Sequence, residues 1–215
     1  MHISEGFLPL THAAAWSVAA LPFLRMALPH LQNDTGNRYM LVASAGYLFT
    51  LTALKLPSVA GSSSHPTGVA LGTVLVGPAV MAALSLIVLL FQALLTAHGG
   101  LTTLGANMIS LGVVGPWVTW ALWRLGRAWG ERTALIVATI CGSLATYACT
   151  AWQLAMAHPD ERGGVSTAFV KFSAVFSMTQ VPVAITEAVF TVIVLQVLAT
   201  SAGPRQETPR VWEKH

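Results

Sequence analysis

Long uncharged stretches separated by short polar hinges organise this chain. Residues 6–24, 56–123 and 133–159 contain no Asp, Glu, Lys or Arg, and residues 172–204 contain only Glu187. A helix needs about 20 apolar residues to cross a hydrocarbon layer roughly 30 Å thick, and helices satisfy their own backbone groups in lipid. The pattern predicts helical spans near 9–31, 39–56, 79–97, 104–123, 133–157 and 167–199, the last long enough to tilt or to run past the bilayer. Residues 66–78 are apolar but short, and Gly77-Pro78 should break the helix before the next span.

The positions of the basic residues decide how to count that short piece. Arg38, the Arg124/Arg127/Arg132 group and Arg205/Arg210/Lys214 lie in one set of hinges and ends. The segments around Ser62–His65, His98–Thr103 and His158–Val165 hold Arg162 alone, so the bias is seven basic residues to one. Cytoplasmic loops carry the excess of Lys and Arg. If 62–65 and 98–103 share the outer side, the chain between them crosses twice, and 66–78 becomes a short third span. The expectation is an all-α integral membrane protein of about seven transmembrane helices, N-terminus outside and C-terminus cytoplasmic. It divides into one transmembrane domain over residues 1–200 and a polar cytoplasmic tail over 201–215.

Composition agrees. Of 215 residues, 54% are hydrophobic and 9% charged, against roughly 25% charged in ordinary soluble domains, and the mean hydropathy is +0.66. The net charge of +3 sits in hinges and tail, where it concerns membrane orientation rather than nucleic acid. Two cysteines make neither a disulfide framework nor a zinc site alone, and Cys141 and Cys149 stand about 12 Å apart along one helix. The first residues lack the basic n-region and cleavage site of a signal peptide, so Met1 is expected to be retained. There is no P-loop, so any energy source must be a gradient or another subunit.

Seven histidines are the candidate chemistry. His30 and His158 precede interfacial loops, His215 ends the tail, and His12 starts the first span; each reads as bland. His2, His65 and His98 share the outer side. At Met1-His2 a free α-amine, the next amide nitrogen and the His2 imidazole close two fused chelate rings, a planar three-nitrogen set with one position left over. Late first-row divalent metals favour such nitrogen donors. His65 lies in the loop Gly61-Ser-Ser-Ser-His65-Pro-Thr-Gly68, whose small residues permit close approach, and is the natural fourth donor.

The opening Met1-His2-Ile3-Ser4-Glu5-Gly6-Phe7-Leu8-Pro9, the loop Ser62–Gly68, the run Ala97-His98-Gly99-Gly100-Leu101-Thr102-Thr103-Leu104-Gly105-Ala106-Asn107 and the late run Gln180–Glu187 resemble one family. They are similar to the CbiM/NikM substrate-capture subunits of energy-coupling-factor transporters, and the likeness covers nearly the whole chain. The resemblance implies a seven-span fold of the kind seen in such capture subunits, with the N-terminal segment inserted into the bundle. It implies metal ligation by the Met1 amine, the His2 amide and imidazole, and the His65 imidazole. It implies transported Co(II) or Ni(II) as bound substrate rather than a cofactor, with the short tail leaning towards cobalt for cobalamin biosynthesis. The implied partners are a transmembrane coupling protein (CbiQ/NikQ type), separate ATPase subunits (CbiO/NikO type) and a small accessory membrane protein (CbiN type), in a bacterial cytoplasmic (inner) membrane. On this reading the chain is a transporter subunit and not an enzyme; a metal-independent channel or structural membrane protein is the contrasting reading.

Around a bound histidine one expects an acceptor for the second ring nitrogen, and Glu5, His98 and Asn107 are the candidates. Glu187, ionisable within an apolar span, marks either a functional interior position or a partner contact at the cytoplasmic interface. Trp117, Trp120 and Trp123 read as an interfacial belt, and Ala15-x-x-x-Ala19 as a small-residue stripe for internal packing.

Overall fold

Helices dominate because the stretches between the hinges are mostly apolar and almost uncharged, and each backbone N–H needs a partner that lipid cannot supply. The structure, a computed structural model, describes residues 1–33, 38–57 and 62–201. Among these, seven helices make one bundle: α1 (Leu10–Asn33), α2 (Arg38–Ala53), α3 (Val69–Val76), α4 (Pro78–Leu95), α5 (104–125), α6 (Glu131–Ala157) and α7 (Gly164–Ser201). Helix α5 is composite, passing through a π-helical stretch, Ile109–Val114, between its α-helical ends. Three segments, Pro78–Leu95, Glu131–Ala157 and Gly164–Leu198, are long and apolar enough by themselves to cross a membrane. The seven-helix membrane fold predicted from the charge gaps is the fold observed. The tail 202–215, with Arg205, Arg210, Lys214 and His215, and the His30 side chain lie outside the described residues.

The short segment before Gly77 behaves as a half-helix. Helix α3 has eight residues, all buried, so its rise is about 12 Å. The non-helical residues 65–68, with Gly68 in the left-handed region, lead into it from the sheet end, so the segment is shorter than the ~27 Å of the 18-residue α4. Gly77 (φ 83°) reverses the chain and Pro78 opens α4, folding the pair together so that the Met81 sulfur occupies the space a Gly72 side chain would need. His65 and His98 therefore finish at the same end of the bundle.

At that end lies a feature that the hydropathy pattern does not show, a three-stranded antiparallel sheet. Strands β1 (His2–Ile3), β2 (Leu56–Pro57) and β3 (Ser62–Ser64) pair in the order β1–β3–β2, with His2 opposite Ser63 and Ile3 opposite Ser62. Two- and three-residue strands are too short to carry an alternating pattern. They form because buried backbone groups must be paired.

Several expectations change. Lys55 reaches the Thr96 carbonyl at 3.4 Å and Lys171 pairs with Asp160, so both join Arg162 at the histidine end. The charge asymmetry between the two ends is thus smaller than the hinge count implies. Trp123 is core, 4% exposed, packed with Val74, Leu135 and Ala138, with Arg127 stacked over its ring; it is not part of an exposed belt. Ala15 and Ala19 are exposed, and α1 buries Ala13, Ala20 and Ala27 instead. The close α1–α5 crossing is made by Gly105 against the Ser17 backbone.

Candidate metal centre

The first eight residues fold back into the bundle. Phe7 N–H donates to the Ser4 carbonyl at 3.3 Å with Gly6 at φ 74°, a tight turn open to glycine, and Pro9 then leads into α1. Met1, Ile3 and Leu8 are buried among Tyr147, Ala151, Leu154 and Phe176 of α6 and α7. Each of the two fully buried side chains, Met1 and Ile3, contributes roughly 1.5–3 kcal/mol on transfer from water. That apolar anchoring places His2 at a fixed depth.

Polar contacts hold the same segment from the α4–α5 connection. Asn107 Nδ2 and Thr103 Oγ1 both donate to the Ile3 carbonyl, at 3.0 and 2.8 Å, and the Ile3 N–H donates to Asn107 Oδ1 at 2.7 Å. Glu5 N–H donates to the Gly99 carbonyl at 3.2 Å, and its carboxylate accepts from the Thr102 N–H and hydroxyl. Those bonds lower the Glu5 pKa from its ordinary value. His158, set aside in the sequence, has its Nε2 2.9 Å from the Phe7 carbonyl and its ring against the Phe7 ring. Only the fold brings residues 7 and 158 together.

Three imidazoles meet under this cover. His2 Nδ1 lies 2.5 Å from His65 Nε2, and the ring centroids are 4.4 Å apart for His2–His65, 4.4 Å for His2–His98 and 5.1 Å for His65–His98. One nitrogen from each ring lies within 4.8 Å of the others. All three are buried, His2 and His65 completely. His65 Nδ1 donates to the Pro66 carbonyl at 2.8 Å, which fixes its tautomer and turns the Nε2 lone pair towards His2. His98 Nε2 lies 2.7 Å from Ser63 Oγ, while His98 Nδ1 and His2 Nε2 have no hydrogen-bond partner.

Electrostatics keep these nitrogens unprotonated. Burial, opposed by the Glu187 carboxylate, lowers the Met1 amine from an ordinary 8.0 to about 5. Burial and then the neighbouring cationic groups push His2 and His65 well below 6.5, and His98 to about 4. At neutral pH the amine and the three imidazoles are uncharged, each with a lone pair to offer, while the His2 amide still has its proton to lose.

The geometry suits a cation. Within an amine–amide–imidazole chelate it is Nδ1 of the second residue that closes the six-membered ring, and Nδ1 is the His2 atom facing His65. Two donors in adjacent corners of a square with metal–nitrogen bonds of about 2.0 Å stand about 2.8 Å apart, close to the observed His2–His65 spacing of 2.5 Å. Of the candidate acceptors, neither Glu5 nor Asn107 bonds an imidazole; both hold the N-terminal backbone, and the Pro66 carbonyl orients His65 instead. Ser63, Thr102, Thr103 and Thr67 carried no separable signal in the sequence.

Comparison with known proteins decides the relationship. The model of a family described as "CbiM: Cobalt uptake substrate-specific transmembrane region" matches residues 2–204. The chain belongs to the CbiM family. A cobalt transport protein CbiM of Moorella thermoacetica is 50% identical over 206 residues, covering 93% of this chain and 80% of that protein. One from Streptomyces coelicolor is 48% identical, covering 94% and 90%. The fold is also that of a solved structure called a truncated transition metal transporter (TM-score 0.82, 24% identity, 94% of this chain and 99% of that one). The CbiM family is one of membrane transport components rather than enzymes.

Proposed function

We propose that this chain is the substrate-binding membrane subunit of an energy-coupling-factor importer for Co(II), serving cobalamin biosynthesis, with Ni(II) as the alternative cargo. The metal is held by the Met1 amine, the His2 amide nitrogen and Nδ1, and His65 Nε2. The observation that carries this reading is the 2.5 Å approach of His2 Nδ1 to His65 Nε2 in a fully buried pocket beside the Met1 amine. That spacing is short even for an N–H···N hydrogen bond and close to what two neighbouring donors on one metal ion require. The cobalt transport proteins among its relatives favour Co(II), although nitrogen donors alone rank Ni(II) above Co(II).

His98 leans on the His2 ring and is tied to Ser63, so it supports the site rather than completing the plane. Glu5 and Asn107 keep the N-terminal segment seated. The centre lies at the outer end of the bundle, with the C-terminus cytoplasmic, in a bacterial inner membrane. Delivery follows reorientation of the whole subunit against a CbiQ/NikQ-type coupling protein, driven by CbiO/NikO-type ATPases and accompanied by a CbiN-type accessory protein.

The decisive experiment is metal analysis of the purified chain together with uptake by cells expressing it with those partners. One residue added before Met1, or His2→Ala, should abolish both bound metal and uptake, and His215→Ala should change neither. Full binding by the extended chain, as a metal-independent channel would allow, sinks the proposal.

A further inference from the structure

Among the described residues Glu187 is the only Asp, Glu, Lys or Arg that is buried, at 1% exposure. A charge inside a membrane bundle is costly and is kept where it has partners and a task. Its partners are four donors. Thr67 Oγ1 and the Gly68 N–H donate to Oε1 at 2.6 and 2.8 Å, and the Thr67 N–H and Ser143 Oγ donate to Oε2 at 2.7 and 3.2 Å. The carboxylate of α7 is therefore bound, through both oxygens, to the turn that begins two residues after His65.

That turn has little freedom of its own. Gly68 adopts φ 70°, and a Cβ there would stand 3.1 Å from the Leu48 Cα of α2, so the backbone is pressed between α2 and the Glu187 carboxylate. On the other side of His65, Ser64 Oγ is tied to Thr179 Oγ1 of the same α7 at 2.8 Å. The Pro66 carbonyl that fixes the His65 tautomer is thus bracketed by two attachments to one helix. An amide at position 187 could not accept from all four donors, because its NH2 group donates.

We propose that Glu187 is a positioning residue of the metal centre, clamping the Thr67–Gly68 turn to α7 so that His65 presents Nε2 to His2. Its carboxylate also acts electrostatically on the Met1 amine, in an interior where charges are weakly screened. This rests on the metal-capture reading above. The burial of Glu187 also removes it from any partner subunit's surface.

The test is titration of the full chain in detergent with Ni(II) and Co(II), following affinity and the ligand-field absorption band, with thermal unfolding of the metal-free protein alongside. Glu187→Gln should lower affinity at least tenfold and shift the band. Adding Glu187→Gln to His65→Ala should cost little more than His65→Ala alone, because both changes act through one donor. Glu187→Asp should fall between, and Thr67→Val should weaken binding about threefold with a smaller shift. Wild-type affinity and spectrum in Glu187→Gln overturn the proposal. If that variant does not fold, wild-type behaviour in both Glu187→Asp and Thr67→Val does so. Wild-type binding that ignores His2→Ala and His65→Ala would overturn the capture reading itself, an outcome separate from these.

Discussion

Asn107 grips Ile3 through both ends of its side-chain amide, accepting from the Ile3 N–H at 2.7 Å and donating to the Ile3 carbonyl at 3.0 Å. It does for a two-residue strand what a neighbouring strand would do, on the edge away from β3. Asn107→Leu should therefore leave the buried Ile3 N–H unpaired and cost about 1–3 kcal/mol. Hydrogen exchange and limited proteolysis of residues 1–8 should rise sharply while the helices stay protected, and metal affinity should fall with them.

Gly100 is a steric requirement. A Cβ there would stand 2.6 Å from the Glu5 Cα, a backbone atom that cannot step aside. Gly100→Ala should unseat the N-terminal segment, with loss of bound metal by elemental analysis and little change in helix content by circular dichroism. Gly105→Ala, aimed 2.6 Å from the Ser17 backbone nitrogen, should instead loosen the α1–α5 crossing and lower the unfolding temperature of the whole chain, at about 1–3 kcal/mol.

The histidines should separate by role. His65→Ala removes the donor that faces His2, and metal binding by calorimetry should weaken by at least a hundredfold. His98→Ala removes a ring 4.4 Å from His2 that is bound to Ser63 and should weaken binding about tenfold or less. Equal and complete losses would make His98 a ligand in its own right.

Acidification should release the N-terminal segment. The Met1 amine falls from 8.0 when free to about 5 when seated, so between those values the unseated chain binds the extra proton. Stability of the seated state therefore rises with pH across 5–8 and is lost as pH drops. The depressed histidines act in the same direction below pH 6.5. Exchange protection of residues 1–8, measured without metal from pH 5 to 8.5, should increase with pH. Metal capture should follow the same sign because its donors must be unprotonated.

Much of the bundle was legible because lipid imposes a simple rule, and Glu187 interrupts an otherwise apolar run where that rule is broken. Gly77-Pro78 marked the reversal that makes 66–78 a separate short element. His2 and His65 stood out because an N-terminal chelate has defined chemistry. What stayed hidden depends on contacts between distant residues. No local pattern ties Phe7 to His158, Asn107 to Ile3, or Glu187 to Thr67. Trp123 looked interfacial by spacing, yet the fold turns it inward against α6, while Ala15 and Ala19 face outward because α1 buries a different face.

The pairing of β1 with β3, and the burial of Met1 in the same cluster as Phe176, have a consequence for biogenesis. Residues 1–3 are made well before the rest of their lodging, which is assembled from Ser62–Ser64, Ala106–Asn107 and the first half of α7. About four-fifths of the polypeptide must be translated before this segment can dock against Phe176. A part made early is thus placed late, and a half-synthesised chain has no seat for its own beginning strand.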